Sequence, residues 1–181
     1  MEVQGGTATF DTDTNVPAVT VHGKSTKVRA RAVIRQTGEA IAIEQIEATL
    51  PVNTISTGMG LRDEHMRKYI FTTPEGQVPD VTFVSEKAEC SASSGSESTC
   101  NVSGNLTIRG TPRPFAIALK VQKAGDGYKA QGDSVVKLST YGIERPSQLG
   151  VKTSDDVKLH LELTAKPVAS ASAARTPGGF R

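Results

Sequence analysis

Alternation of apolar and polar residues dominates the chain and predicts β-strands. From Phe115 to Val121 every second side chain is large and apolar, while the residues between are alanine or lysine. Val157 to Leu163 repeats the pattern, with valine and leucine alternating against lysine, histidine and glutamate. Residues 28–34 and 102–108 share this period. Because successive side chains of a strand point to opposite faces, each stretch predicts a strand with one buried face.

The alternation changes phase between Ile43 and Ile46, which predicts a β-bulge or a bend. Glycine-containing turns separate the alternating stretches, at residues 38, 76, 110–112, 125–127 and 132. Short strands separated by turns at roughly even spacing are typical of an all-β protein, either an antiparallel barrel or a sandwich.

Two stretches depart from the strand pattern. Residues 57–71 lose the alternation and gain helix formers, with Leu61, His65 and Lys68 on one face, and they predict one or two helical turns inserted between strands. Residues 168–181 are rich in alanine, serine and glycine, which predicts a disordered tail. We therefore expect one domain over residues 1–167, which is an ordinary size for a single core.

Charge gives little support for a nucleic-acid or anionic-membrane partner of the chain as a whole. Its 21 lysine and arginine residues face 19 aspartate and glutamate residues, a formal net charge of +2. One local exception runs from Lys24 to Arg35, with five basic residues and no acidic one. Two interpretations stay open, a solvated strand face, which we favour, and a rim that attracts an anionic headgroup.

The two cysteines, Cys90 and Cys100, are separated by small polar residues and flanked by strand-like stretches. A hairpin whose loop opens between them would bring their Cβ atoms within bonding distance. Two cysteines fall short of the four ligands of a structural zinc site. A disulfide and a pair of free thiols remain as hypotheses, and the sequence favours the disulfide.

The prediction of where the protein is located rests on the cysteines more than on targeting signals. Met1 to Phe10 lacks the charged and apolar regions of a signal peptide, and no run approaches the ~20 apolar residues of a membrane span. Either a cytoplasmic protein or the mature form of an exported one fits this. A disulfide favours an oxidising compartment, so we expect a periplasmic or secreted protein.

Four stretches, in this order, carry a resemblance to a known family. They are Ser56 to Phe71 (STGMGLRDEHMRKYIF), Pro79 to Val84 (PDVTFV), Val102 to Val121 (VSGNLTIRGTPRPFAIALKV) and Leu138 to Leu163 (LSTYGIERPSQLGVKTSDDVKLHLEL). The last of these resembles the family's final pair of strands. Together they resemble the YceI-like family of polyisoprenoid-binding proteins over about residues 7–166.

The resemblance implies an eight-stranded, lipocalin-like antiparallel β-barrel closed around an elongated apolar cavity. It also implies a ligand of isoprenoid-quinone, polyprenyl or fatty-acid-amide type and export from the cytoplasm. The chain departs from the family in the arm from Ser85 to Asn101, which holds both cysteines. Met59 and Leu61 also occupy positions that are often polar in the family.

We expect the cavity to be lined by large apolar side chains, with adaptable methionines among them. The expected ligand-binding residues are Met59, Leu61, Met66, Tyr69, Phe71, Phe83, Leu106, Phe115, Ile117, Tyr141, Ile143 and Leu149. Arg62, Asp63 and His65 match the family's motif and carry two interpretations. They form either a polar rim that binds a lipid headgroup or a brace that holds the helical insertion against the barrel, and we favour the brace.

The sequence offers little chemistry for catalysis, so we expect no enzyme, no catalytic residues and no resident cofactor. His22, His65 and His160 form no paired metal-binding motif, and no phosphate-binding loop or nucleophile elbow is present. The leading hypothesis is a lipid carrier, with oligomeric states up to a homodimer left open. A filled-barrel interaction module is the alternative, and an enzyme acting on isoprenoids ranks third.

Overall fold

The structure is a computed structural model that describes residues 1–38, 40–92, 95 and 97–168. The expected disordered tail, residues 168–181, lies outside the described residues except for Val168. The strands, in chain order, are β1 (Glu2–Asp13), β2 (Thr20–Ser25), β3 (Arg29–Thr37), β4 (Ala40–Leu50), β5 (Val81–Ala92), β6 (Glu97–Ile108), β7 (Thr111–Ala124), β8 (Gly127–Lys137), β9 (Ser147–Gln148), β10 (Val151–Lys152) and β11 (Asp156–Lys166).

Eight strands of the described residues close into an antiparallel barrel, in the order β11-β8-β7-β6-β5-β4-β3-β1, and β11 pairs with β1 to complete the ring. The closing ladder runs from Glu2 opposite Lys166 to Asp11 opposite Lys158. A closed ring leaves these strands without a free edge. The barrel predicted from the resemblance is confirmed.

β2 and β3 act as two halves of one interrupted strand beside β1. β2 pairs with the second half of β1, from Ala8 opposite Ser25 to Asp13 opposite Thr20. β3 meets β1 only at its first residues, where Glu2 lies opposite Arg31, and otherwise pairs with β4.

The phase change in β4 is a β-bulge, as predicted. Val33 pairs with Gln45, while the next residue, Ile34, pairs with Ile43, so Glu44 is the extra residue. The bulge returns the apolar side chains on both sides of it to the same face.

The basic stretch of β3 lies on the outside of the barrel. Arg29, Arg31 and Arg35 are exposed and alternate with half-buried Ala30 and Ala32. Arg31 is paired with Glu2 and Arg35 with Glu44, each at 2.5 Å. This geometry agrees with the solvated strand face.

Two connections carry the non-strand structure, and both lie at the same end of the barrel. Between β4 and β5, helix α1 (Gly60–Met66) continues into a π-helical turn (Arg67–Phe71), which confirms the predicted helical insertion. After β8, a 3-10 turn (Leu138–Tyr141) precedes the β9–β10 hairpin.

The expectation that Leu138 to Leu163 forms the final pair of barrel strands is wrong. Only β11 belongs to the barrel, since its partner β8 ends at Lys137. The intervening residues form the turn and the small separate hairpin instead. Gly142 adopts a left-handed conformation (φ +66°) and ends the 3-10 turn.

Candidate functional site

Apolar side chains facing the barrel interior form two clusters. The first gathers Ile43, Cys100, Val102, Ile117, Leu119, Val121 and Tyr128, largely from β6 and β7. The second gathers Leu106, Ile108, Val136, Leu138, Tyr141 and Ile143, and it lies at the end of the barrel that carries the helical insertion. Both are built from the inward positions that the alternation predicts.

Phe83 and Phe115 connect the two clusters near the middle of the barrel. Each packs against both clusters, and their rings meet edge to face with centroids 5.9 Å apart. Both side chains are only partly buried. Ile34, Ile46 and Leu161 are also partly buried against the first cluster.

The wall next to these rings is built from small residues. Ala30 on β3 lies opposite Ala48 on β4, and Ala48 lies opposite Phe83 on β5. Ala32, two residues further along β3, lies opposite Ile46. The side chains that neighbour Phe83 on this wall are therefore short.

Inward side chains that keep solvent contact inside a closed barrel border space that the protein does not fill. This holds for Phe83, Phe115, Ile34 and Ile46, which face the interior and yet stay partly exposed. A well-packed core leaves few voids larger than a water molecule. These apolar side chains therefore remain accessible to solvent beside the alanine wall.

The predicted lining residues fall into three groups. Seven of them lie in or against the two apolar clusters: Phe71, Phe83, Leu106, Phe115, Ile117, Tyr141 and Ile143. Met66 is half-buried on α1 and belongs to neither cluster. The alternation also marked Ala30, Ala32 and Ile34 as one strand face, but their small or aliphatic side chains were left out of the predicted lining.

The remaining four predicted lining residues lie on the surface rather than among the interior clusters. Met59 is 58% exposed, Leu61 61%, Tyr69 52% and Leu149 97%. The first three sit on the solvent side of the short helical insertion, and Leu149 lies at the tip of the β9–β10 hairpin. Their contact with a ligand stays a prediction.

Asp63 is a buried carboxylate that ties helix α1 to the loop before it. The Thr57 backbone N–H donates to Asp63 Oδ1 at 2.7 Å, and the Ser56 hydroxyl donates to Oδ2 at 3.2 Å. The neighbouring Arg62 donates to the Thr57 carbonyl oxygen at 2.6 Å. These contacts tie the helical insertion to the preceding loop, while a role of Arg62 and Asp63 in binding a headgroup stays a prediction.

Burial alone would raise the pKa of the Asp63 carboxyl. The hydrogen bonds from Thr57 and Ser56, with the charge of Arg67 nearby, outweigh that effect and hold the pKa below its usual value. Asp63 is therefore ionised at neutral pH. A charged group in this position holds the loop by charge-assisted hydrogen bonds.

His65 connects helix α1 to the β9–β10 hairpin. Its Nδ1 lies 2.9 Å from Gln148 Oε1, and its ring meets the Tyr69 ring edge to face at 5.9 Å. The Lys68 ammonium lies 5.3 Å from the centre of the same Tyr69 ring. His65 thus positions surface elements at the end of the barrel.

Cys90 and Cys100 form a disulfide across β5 and β6, as the sequence favoured. Cys100 is fully buried within the first apolar cluster, and Cys90 packs against that cluster. The bond therefore belongs to the interior packing of the barrel, at the end opposite the helical insertion.

Two grooves lie on the outside of the barrel. One, of about 350 Å³, crosses β5 to β8 between Lys87, Glu89 and Asp133, and the other, of about 560 Å³, crosses β6 to β1 beside Lys129 and Glu162. Of the predicted lining residues, only Ile117 borders either groove. Charged walls of both signs make these grooves poor sites for a long apolar molecule.

Within residues 1–38, 40–92, 95 and 97–168, no three His, Cys, Asp or Glu side chains are placed to hold a metal ion together. No helix in the same part of the chain has the length and apolar character needed to cross a bilayer.

Comparison with solved structures supports the fold. BcnA of Burkholderia cenocepacia superposes with a TM-score of 0.68 at 19% identity, over 89% of this chain and 96% of that protein. A polyisoprenoid binding domain from Saccharophagus degradans gives the same TM-score at 16% identity, over 92% and 98% of the two chains. These identities establish a shared barrel and no more than that.

Sequence relatives point the same way. A UPF0312 protein of Pseudomonas paraeruginosa is 29% identical over 107 residues, which are 56% of this chain and 53% of that protein. Protein YceI of Salmonella arizonae is 27% identical over 108 residues, 55% and 52% of the two chains. The chain therefore matches about half the length of these relatives. The family model described as a YceI-like domain matches residues 2–165, and the chain belongs to that family.

Proposed function

We propose that this protein binds one elongated apolar lipid inside its barrel and carries or stores it outside the cytoplasm. The ligand is of isoprenoid-quinone, polyprenyl or fatty-acid-amide type. The observation that carries the proposal is the partly exposed pair Phe83 and Phe115, which faces the interior beside an alanine wall.

The physical chemistry of the interior favours a slender apolar guest. An eight-stranded barrel is just wide enough to hold one small ligand among its side chains. Transfer of each methylene from water to such a site contributes about 0.8 kcal/mol. A chain of several isoprene units can thus offset the several kcal/mol lost on association. Binding of this kind needs few polar contacts, so selectivity among lipids of similar length should be weak.

Two further observations support the lipid class and the location. The family is one of YceI-like domains, and the solved domain from Saccharophagus degradans that shares the fold is described as polyisoprenoid binding. The Cys90–Cys100 disulfide fits an oxidising compartment such as the periplasm.

Mass spectrometry of organic extracts tests the proposal, with protein purified from its native host and never exposed to detergent. We expect one dominant class of long-chain lipid, near one molecule per chain. Extracts without lipid would contradict the proposal.

A pair of adjacent substitutions tests whether the lipid lies inside the barrel. Ala32→Phe adds a ring on the inward face of β3, whereas Val33→Phe adds the same ring on the outward face, where Val33 is exposed. We expect Ala32→Phe to fold and to lose most of its lipid, while Val33→Phe keeps it. If the interior were already filled, Ala32→Phe would overpack the core, lower stability by about 1–3 kcal/mol and leave the lipid content unchanged.

A further inference from the structure

One end of the barrel displays apolar side chains that no part of the described structure covers. Val16 and Val19 lie in the turn between β1 and β2, Met59 and Leu61 begin helix α1, Tyr69 follows it, and Leu149 forms the hairpin tip. We call these six residues the apolar rim, and all are exposed. The rim lies at the end where the second apolar cluster reaches the surface.

Leu149 is held in an unfavourable position on two independent counts. It is 97% exposed, and its φ of +51° places it in the left-handed region, which bulky residues rarely adopt. It forms the two-residue turn of the hairpin with Gly150, whose φ is +80°. Turns of this type strongly prefer asparagine, aspartate or glycine at both positions. Neither backbone geometry nor packing within the chain explains a leucine here.

The loops that carry the rim are bonded to one another, so they present it as a single surface. The Asn15 backbone N–H donates to the Lys152 carbonyl oxygen at 2.9 Å, and the Asn15 amide donates to the Gly150 carbonyl oxygen at 3.1 Å. The contact between His65 and Gln148 joins the helix to the same hairpin. Rigid mounting lowers the entropy lost when such residues are immobilised on binding.

Charged and aromatic neighbours of the rim suit a lipid interface. Lys68 lies over the Tyr69 ring, and Arg145 and Lys152 stand on either side of Leu149 with no acidic residue between them. Basic side chains reach headgroups while their stems cover apolar surface, and tyrosine is favoured at membrane–water interfaces. Over residues 59–71 and 144–152 together, there are five arginine and lysine residues and three acidic ones; Asp63 is buried, and Arg62 and Arg67 are half-buried.

We propose that the apolar rim docks onto an anionic lipid surface, with Leu149 inserting among the acyl chains. A bilayer of anionic lipids fits this surface because Lys68, Arg145 and Lys152 flank its apolar side chains. This inference rests on the proposed function, since a lipid carrier has to meet a bilayer to take up or release its lipid. Shallow insertion of apolar tips flanked by basic residues is how proteins lie on, rather than span, a membrane.

Tryptophan fluorescence tests the docking directly, because the chain contains no tryptophan. Leu149→Trp places a single fluorophore at the hairpin tip, and Val33→Trp places one at an exposed site on the barrel wall. With vesicles of phosphatidylglycerol and phosphatidylcholine, we expect a blue shift and quenching by brominated acyl chains for Leu149→Trp only. No shift at position 149, or equal shifts at both positions, would overturn the proposal.

Leu149→Asn separates docking from a structural role of the leucine. Asparagine tolerates the left-handed conformation, so this variant should raise the thermal midpoint of unfolding. It should also weaken vesicle binding about tenfold, because one buried leucine is lost from the interface. A lower midpoint, or unchanged vesicle binding, would contradict docking through this residue.

Two measurements distinguish this proposal from its competitors. Sedimentation without vesicles should give the same oligomeric state for the wild-type protein and Leu149→Asp. If the wild-type protein associates and Leu149→Asp does not, the rim binds a second copy instead. Organic extracts of the wild-type protein test the proposed function separately. If they contain no lipid, the proposed function fails, while the fluorescence result decides the docking on its own.

Discussion

Cys90 and Cys100 stand directly opposite each other on β5 and β6, with Cα atoms 4.0 Å apart, and their disulfide packs inside the barrel. The bond therefore does two things. It cross-links the two strands of the β5–β6 hairpin, and it fills part of the first apolar cluster.

We predict that replacing both cysteines, with Cys90→Ala and Cys100→Ala together, lowers the free energy of unfolding by about 2–3 kcal/mol. The two residues are ten positions apart, and a cross-link of that span restricts the unfolded chain by this amount. Urea denaturation followed by circular dichroism measures the change. Wild-type protein reduced before denaturation is the control and should fall by a similar amount, whereas equal stability of all three samples would contradict the prediction.

Gly104 permits the close approach of β6 to the bulged part of β5. A Cβ at this position would lie 2.1 Å from the Val84 carbonyl oxygen and 2.7 Å from the Ser85 Cα. Both are backbone atoms, held by the register that shifts between Ser85 and Lys87. Since they cannot move without breaking the ladder, the barrel depends on glycine here.

Gly104→Ala should therefore destabilise the protein by about 3 kcal/mol or more, or leave it insoluble. Gly5→Ala is the matched control, because nothing lies within 4 Å of a Cβ at Gly5. We expect that control to stay within about 0.5 kcal/mol of wild type. Thermal unfolding of both variants measures the difference, and similar midpoints would show that the strands can separate.

The strands could be predicted because apolar and polar residues alternate along the chain with the two-residue period of a β-strand. β7 and β11 show strict alternation, and the phase change in β4 marked the bulge at Glu44. Closure of the sheet came from the resemblance, since alternation alone is equally compatible with a sandwich. The break between β2 and β3 has no comparable signal. Residues 28–34 alternate as an ordinary strand, and the sequence alone does not show that β1 pairs with both β2 and β3.

The candidate site was harder to predict because apolar character does not give position. Leu61, Tyr69 and Leu149 are as apolar as Phe83 and Ile117, yet they lie on a short helix and a hairpin tip that project from the barrel. The long strands fix the direction of their side chains by their period, whereas a seven-residue helix and a hairpin tip offer too few positions to establish one. The alanine wall was missed for the opposite reason, since alanine side chains contribute little apolar surface and so give a weak signal.

Asp63→Asn tests the brace beneath helix α1. The amide cannot accept the same charge-assisted bonds, and its NH2 group would face the Thr57 N–H donor in one of its two orientations. We expect a loss of about 1–3 kcal/mol in the free energy of unfolding. Glu64→Gln is the control on the next, exposed residue and should be neutral within about 0.5 kcal/mol.

The same carboxylate should make the protein sensitive to acid. The pKa of Asp63 is lower in the folded than in the unfolded state. Its contribution to the free energy of unfolding is therefore fully present above about pH 4, the pKa of aspartate in the unfolded chain. It is lost as the pH falls through the folded pKa. Urea midpoints measured from pH 6 down to pH 3 should therefore fall more steeply for wild type than for Asp63→Asn. Parallel curves would contradict the role of the charge.

His160 predicts a pH dependence of the opposite sign near neutrality. Its Nδ1 lies 2.7 Å from the Asp133 carboxylate, opposite it on β8, and its Nε2 lies 3.4 Å from Glu162. These hydrogen bonds raise the pKa of His160 above its ordinary value. The stabilisation that charged His160 contributes is fully present below about pH 6.5, the pKa of histidine in the unfolded chain. It is lost as the pH rises through the pKa of the folded state. Because the side chain is 40% exposed, we expect the effect to be about 0.5 kcal/mol or less. His160→Gln and Asp133→Asn should each flatten the decline in urea midpoint between pH 6 and pH 8, and a decline that persists unchanged in both variants would show that another group causes it.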